Sequence, residues 1–333
     1  MTTYKDIRGT HITTVTTDPP APVNGQMWYN STTQVMKGFT IANVGSWSTG
    51  TAINSAREGA TTAGAYTSGL VFGGEIPPTG DSALTESWNG TSWTEVADLN
   101  SERRTLGGAG ASNTAALAMG GWDYPTIYAI TESWNGSSWT EVGDLNNGRV
   151  KTSNAGTGTS TSALYAGGAD GGSYTTVQAY TEQWNGSSWT EVGDLNTARF
   201  GLAVTGADNE ACLAFGGYSP PGYKAINESW NGSSWTEVAD LNAARSGCGN
   251  AGPSTSALCI GGQNPPGTPR LSATEVWSGS SWAEEGDLNT ARTNGGIGNT
   301  TNALAVAGSI PPYTGVVEEW SPTTPSTVTF TAS

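Results

Sequence analysis

The chain has 333 residues, 13 of them basic and 28 acidic, for a formal net charge of −15. That balance argues against nucleic acid as a partner, because affinity for a phosphate backbone comes from Lys and Arg, and it disfavours anionic membrane surfaces. No apolar run reaches membrane-spanning length, so no membrane insertion is expected, and three cysteines do not make a disulfide framework.

Residues 1–26 are polar, and Pro19, Pro20 and Pro22 mark a stiff, extended segment. The first twenty residues lack the apolar core of a signal peptide, so ordinary secretion is not expected. Next comes MWYNSTTQVMKGF over 27–39. Two short apolar stretches flank the turn-like 30–33, which predicts a hairpin. The piece resembles the short Trp-Tyr-Asn hairpin that recurs in tail-fibre and other structural proteins of tailed bacteriophages. The alternative is a hairpin that caps the repeats that follow.

Those repeats dominate the chain. The stretch 131–146 reads TESWNGSSWTEVGDLN and returns almost unchanged from Thr85, Thr181 and Asn227, with a worn copy from Thr274. Its first Trp recurs as Trp88, Trp134, Trp184, Trp230 and Trp277, a period of 46 to 50 residues. Such a period means supersecondary units stacked on one another. Each unit opens with Arg: Arg57, Arg103, Arg149, Arg199, Arg245 and Arg292. A run of small residues follows, then an apolar run ending in Gly-Gly, at Gly73–Gly74, Gly120–Gly121, Gly167–Gly168, Gly216–Gly217 and Gly261–Gly262. The sixth unit has Ala307–Gly308 instead.

Four strands per unit follow from this pattern. The first is rich in Gly and Ala, as strands converging on a crowded axis would be. The second is apolar on both faces. The third carries Glu-x-Trp and the fourth Trp-Thr-Glu-Val, and Asn-Gly between them signals a tight hairpin turn. Cys212, Cys248 and Cys259 fall in small-residue strand segments and read as buried small hydrophobes, with a Cys248–Cys259 bridge as the alternative.

An Arg-led strand, an apolar strand ending in Gly-Gly, an acidic third strand and a Trp in the fourth resemble the kelch repeat over about 45–320. The departures are the sixth unit's missing glycine and Trp where kelch sequences place Tyr in the third strand. The resemblance implies an all-β fold, a six-bladed kelch-type β-propeller over 44–320, with an N-terminal attachment segment over 1–43 and a tail over 321–333. Closure can be read from spacing. The fourth-strand Trp precedes the next Arg by ten residues in every unit, and Trp47 precedes Arg57 by the same interval. The stretch 45–53 is therefore a fourth strand without its first three, and the last unit has three strands without a fourth. The expectation is that 45–53 completes the last blade and that the tail adds a candidate extra outer strand. The alternative is that 327–331 closes the blade.

Twelve of the 14 Trp residues sit at repeated positions and read as core or inter-blade packing. Trp28 and Trp122 lie outside the pattern, which makes them candidates for contact. The repeated Arg and the repeated Glu (Glu86, Glu132, Glu182, Glu228, Glu275 and Glu318) are expected to anchor strands and loops by charge-assisted hydrogen bonds. Asn89, Asn135, Asn185 and Asn231 also head glycosylation sequons, which turn geometry explains better.

Catalysis is not expected. His11 is the only His, which leaves no His-built metal site and no Ser-His triad. The Tyr, His and Cys-linked Tyr that hold copper in galactose-oxidase-like kelch enzymes have no counterpart, so no cofactor or metal is implied. What varies between units is the loop after Gly-Gly, rich in Pro and Tyr, which suits recognition. The candidate binding residues are Trp122, Tyr124, Tyr128, Tyr174, Tyr218, Tyr223 and Tyr313. The expected function is that of a non-enzymatic structural protein of a tailed-phage virion, a tail fibre, decoration or host-contacting knob. Residues 1–43 would meet other virion proteins, and the loops would meet protein or a host surface glycan. The alternatives are an intracellular kelch-type interaction module and a carbohydrate-active enzyme.

Overall fold

Short apolar runs closed by glycine pairs favour strands over helices, and all regular structure in the described residues is β. The structure, a computed structural model, describes residues 12–20, 26–40, 45–150, 156–170, 176–264, 270–310, 313–322 and 326–330. The chain divides into two compact units, Trp47–Ser321 and Met1–Ser46 with Pro322–Ser333.

In the larger unit six four-stranded antiparallel sheets follow one another. The first holds Thr61–Ala65, Ser68–Phe72, Thr85–Trp88 and Trp93–Glu95 in spatial order, and the second repeats it with Gly107–Ser112, Ala115–Met119, Thr131–Trp134 and Trp139–Glu141. The sixth takes Thr293–Gly298, Ala303–Ser309 and Thr314–Ser321 from its own unit and its fourth strand, Ser46–Thr49, from upstream of the first sheet. Each sheet's first strand contacts the first strand of the next, and that of the sixth returns to Thr61–Ala65, so the arrangement is propeller-like and cyclic.

Small residues make this approach feasible. A Cβ on Gly108 would stand 2.7 Å from the Thr62 carbonyl oxygen, and one on Gly296 would stand 2.3 Å from that of Asn250. The Gly-Gly pairs do a second job. The first glycine of each pair has φ between 59° and 67°, the left-handed region that a Cβ disfavours. The second donates its N–H to the carbonyl of the next unit's Arg, at 2.7 to 3.2 Å, including Gly308 to Arg57 across the closure. Ala307 keeps the same left-handed conformation, φ 55°, without the glycine.

The apolar core lies between sheets. Trp134 and Trp139 of the second sheet, for example, cluster with Leu70 and Phe72 of the first. Val71, Trp88 and Trp93 of the first cluster with Ile297, Leu304 and Val306 of the sixth. The twelve repeated Trp are buried, as expected. Each third-strand indole donates to the carbonyl at its own sheet's first hairpin, as Trp88 does to Tyr66 and Trp320 to Thr300. Fourth-strand indoles reach the preceding sheet: Trp139 to Thr85, Trp189 to Thr131, Trp235 to Thr181 and Trp47 to Thr274, at 2.9 to 3.1 Å. Trp93 donates instead to the Thr51 carbonyl at 3.1 Å, and Trp282 is the one left without an acceptor. Asn227 stands at the threonine position, and neither Trp282 Nε1 nor Asn227 Oδ1 has a partner.

The Asn-Gly turns depart from the tight two-residue expectation. Trp88 pairs directly with Trp93, so four residues form the loop. Only the glycine takes positive φ, 95° at Gly90. Asn89 acts instead through Oδ1, which accepts the Thr91 and Ser92 backbone N–H groups at 2.9 and 3.0 Å. Cys212, Cys248 and Cys259 are buried free thiols.

In the smaller unit Met27–Asn30 and Val35–Thr40 form the hairpin, with Thr13–Val15 parallel to the first strand. Asp18 locks it, accepting from Trp28 Nε1 at 3.0 Å, Asn30 Nδ2 at 2.7 Å and Lys37 Nζ at 2.6 Å. Its bonds to Lys37, Asn30 and Trp28 hold the Asp18 carboxyl down at about 2. Trp28, expected at a contact surface, is 1% exposed. The C-terminal strand corrects two expectations. Ser326–Phe330 pairs with Val35–Thr40, so it is neither the closing strand of the sixth sheet nor an extra outer strand on it. The hairpin edge offers it a full row of unpaired backbone groups, whereas Ser46–Thr49 already occupies the sixth sheet's edge.

Two predictions follow from these pairings. Deleting 1–54 removes the sixth sheet's fourth strand and should give aggregation in light scattering, whereas deleting 322–333 should leave the main thermal transition in place. Asn227→Thr should restore the missing acceptor for Trp282 and raise stability in urea denaturation by about 1 kcal/mol.

Candidate functional site

The repeated charges do what their fidelity suggests. Each Arg pairs with the Glu of its own sheet's third strand: Arg57–Glu86 at 3.0 Å, Arg103–Glu132 at 2.5 Å, Arg149–Glu182 at 2.6 Å and Arg199–Glu228 at 3.1 Å, with Arg245–Glu275 and Arg292–Glu318 alike. All twelve side chains are buried. Burial pulls Arg199 down to about 10, which leaves it charged at neutral pH. These groups are structural and present nothing to a ligand.

The non-repeated positions beside them carry the chemistry that differs between units, on side chains that are buried or half-buried. The residue after each Arg pairs by backbone with the residue after the same unit's Gly-Gly. The pairs are Glu58 with Glu75, Arg104 with Trp122, Val150 with Ala169, Phe200 with Tyr218, Ser246 with Gln263 and Thr293 with Ser309. They stand at one end of the first strands and ring the mouth of the central channel. The ring has two arcs. Units five, six, one and two contribute polar and charged residues, with Trp122 among them; units three and four contribute Val150, Ala169, Phe200 and Tyr218.

The variable loops rise from these pairs as short two-stranded ribbons: Glu75–Ile76 with Gly80–Asp81, Trp122–Asp123 with Thr126–Ile127, and Tyr218–Ser219 with Gly222–Tyr223. Tyr124 is 74% exposed and meets Trp122 at a tilt of 51°, with centroids 5.9 Å apart. Tyr218 meets Tyr223 edge-on at 5.2 Å and Phe200 at 5.4 Å. Tyr128 and Tyr313 are half-buried, and Tyr174 lies outside the described residues. Burial and a hydrogen bond with Glu58 raise the Tyr313 phenol. Trp122 is corrected. It is only 8% exposed and packs with Val150 and Ala169. Arg104 covers its face at 4.9 Å. It therefore supports Arg104, and the little surface it keeps lines a cavity and not an exposed face.

Arg104 ties neighbouring units together, bonding Glu75 and standing 3.2 Å from Asp81. Arg270 does the same elsewhere on the ring, donating to Gln263, to the Ser309 carbonyl at 3.1 Å and to Ser309 Oγ at 2.8 Å. With Glu58, Glu75, Trp122 and Gln263 these arginines line a cavity of about 360 Å³. Sequence reasoning on the loops missed Glu58, Glu75, Arg104, Gln263 and Arg270. For four of them a signal existed: the positions following Arg and Gly-Gly vary amid near-identical neighbours. Among the described residues no group of three His, Cys, Asp or Glu is placed to hold a metal ion. Neither a scan against protein-family models nor a search of curated proteins matched this sequence.

The ribbons also carry a titratable contact. Burial and the facing Asp123 push Asp81 up to about 6, against the opposing pull of the Arg104 guanidinium 3.2 Å away. A carboxyl raised in this way favours the protonated folded state, so its contribution is full below its ordinary 3.8 and lost as pH rises through about 6. Asp81→Asn should therefore gain melting temperature relative to the unmodified chain as pH rises across that window. A difference that stays constant across it would show that Asp81 and Asp123 do not compete for charge.

Proposed function

We propose that the chain is a non-enzymatic structural protein of a tailed-phage particle: a six-bladed kelch-type propeller used as a decoration or host-contacting knob, with residues 1–43 engaging other virion proteins. The observation that carries this reading is that the Trp-Tyr-Asn hairpin, the phage-like piece of the sequence, folds into a compact unit of its own with the C-terminal strand. That favours an attachment element over a cap on the repeats. The second support is the placement of variation. Near-identical units differ where the ribbons stand at one end of the channel, and Tyr124 there is exposed. Aromatic side chains on short, stiff loops suit contact with protein or with a host surface glycan.

The reading is tested in particles. Virions purified from the host that carries the gene should contain the chain at stoichiometric abundance by mass spectrometry, and the gene should lie among capsid or tail genes. Tyr124→Ala with Tyr223→Ala should slow adsorption to the host by about tenfold, as loss of a contact hot spot does. A chain recovered only from the cytosol, encoded among metabolic genes, would overturn the proposal.

A further inference from the structure

Each sheet of the larger unit ends on an outer strand, and five of the six are built alike. Two residues past the fourth-strand Trp stands an exposed Glu, from Glu95 in the first sheet to Glu284 in the fifth. Five residues past the same Trp stands an exposed Asp, from Asp98 to Asp287. The sixth sheet departs from this. Its outer strand, Ser46–Thr49, has Thr49 at the Glu position, and Ala52 follows at the Asp position. Ser46, Ser48, Thr49 and Ala52 are all exposed, and none carries a charge. The carboxylate of Glu319, one strand inward, is engaged by the Tyr66 hydroxyl at 2.6 Å.

The contrast matters because an outer strand presents a row of backbone N–H and C=O groups that a strand of another chain can pair with. A charge on that strand blocks the pairing, since two such edges would set like charges opposite each other. Five edges are blocked against their own copies in this way, and the sixth is not. For a chain of net charge −15, the neutral edge is the one outer strand of the ring that a second copy can meet without opposing carboxylates. The edge also matches itself. Its exposed hydroxyls both donate and accept, and a strand that meets its own copy antiparallel needs no second surface.

We propose that the outer strand of the sixth sheet is a self-association edge, where two copies pair Ser46–Thr49 antiparallel across a two-fold axis and join their sixth sheets into one. The pairing is closed, because each ring has one unblocked edge and its partner occupies it. Four residues of strand make a small contact, so the dimer is weak and depends on concentration. The inference does not depend on the virion reading.

Analytical ultracentrifugation of the full chain over a concentration series tests it. The unmodified chain should show a monomer–dimer equilibrium. Thr49→Glu with Ala52→Asp gives the sixth edge the acidic pair of the other five and should weaken association about tenfold. Raising the salt concentration should recover much of that loss by screening, which a misfolded variant would not show. Thr49→Ser with Ala52→Ser should leave association unchanged. Both variants should keep the thermal transition of the unmodified chain, because the substituted side chains are exposed. A monomer at every concentration, or an acidic variant that dimerises as well as the unmodified chain, would overturn the inference. So would a serine variant that associates as poorly as the acidic one, or assemblies larger than a dimer that persist in the acidic variant and so place the contact elsewhere. None of these outcomes bears on whether the chain is found in particles, which the virion experiment decides separately.

Discussion

Six buried carboxylates place the sheets. In each unit one oxygen of the third-strand Glu pairs with Arg, and the other accepts from the Asn three residues before that Arg. The Asn backbone N–H reaches it at 2.7 Å in all six units, from Asn54 to Glu86 through Asn289 to Glu318. The Asn amide also bonds the carbonyl of the fourth-strand Trp, as Asn289 does to Trp47. One side chain thus fixes the incoming connection, the start of the first strand and the middle of the third. Dehydrating two charges offsets most of their mutual attraction, so the main contribution of these pairs is geometric: a connection can dock only where its carboxylate waits.

Stability comes from the surfaces those latches bring together. Every main cluster draws on two neighbouring sheets, and the twelve tryptophans supply much of the buried area. A single sheet of this kind has two apolar faces and cannot cover them alone. The ring covers all of them at once only if the last sheet meets the first. Ser46–Thr49 strengthens this meeting, because the covalent chain then crosses the seam: Gly50 donates to Val317 and Ile53 to Gly315 in the sixth sheet, before Arg57 opens the first.

A scaffold so uniform confines its individuality to a few places. The first and third strands and the latches are fixed by neighbouring chain, and the turns by their own Asn side chains. The residues after Arg and after Gly-Gly stand at the channel mouth, where the contacts between neighbouring units differ from one seam to the next. There Glu58, Arg104, Phe200 and Gln263 can differ without disturbing the ring, and a polar arc can stand beside an apolar one.

The sequence alone determined the repeat, its four strands, the buried roles of the repeated Trp, Arg and Glu, and closure by a strand from the N-terminal side. The repeated residues recur every 43 to 50 positions, and such recurrence reports a local job that six copies perform alike. The variable loops were legible as well, because variation stands out against repetition. What only the tertiary structure decided lies in contacts made once. The C-terminal strand joins the hairpin because an open edge is there. Trp122 is buried because Arg104 and the neighbouring unit's Val150 and Ala169 enclose it. Glu58, Glu75 and Arg270 share a cavity because ring closure brings the fifth and first units to the same mouth, a proximity that residues about two hundred positions apart in the chain do not signal.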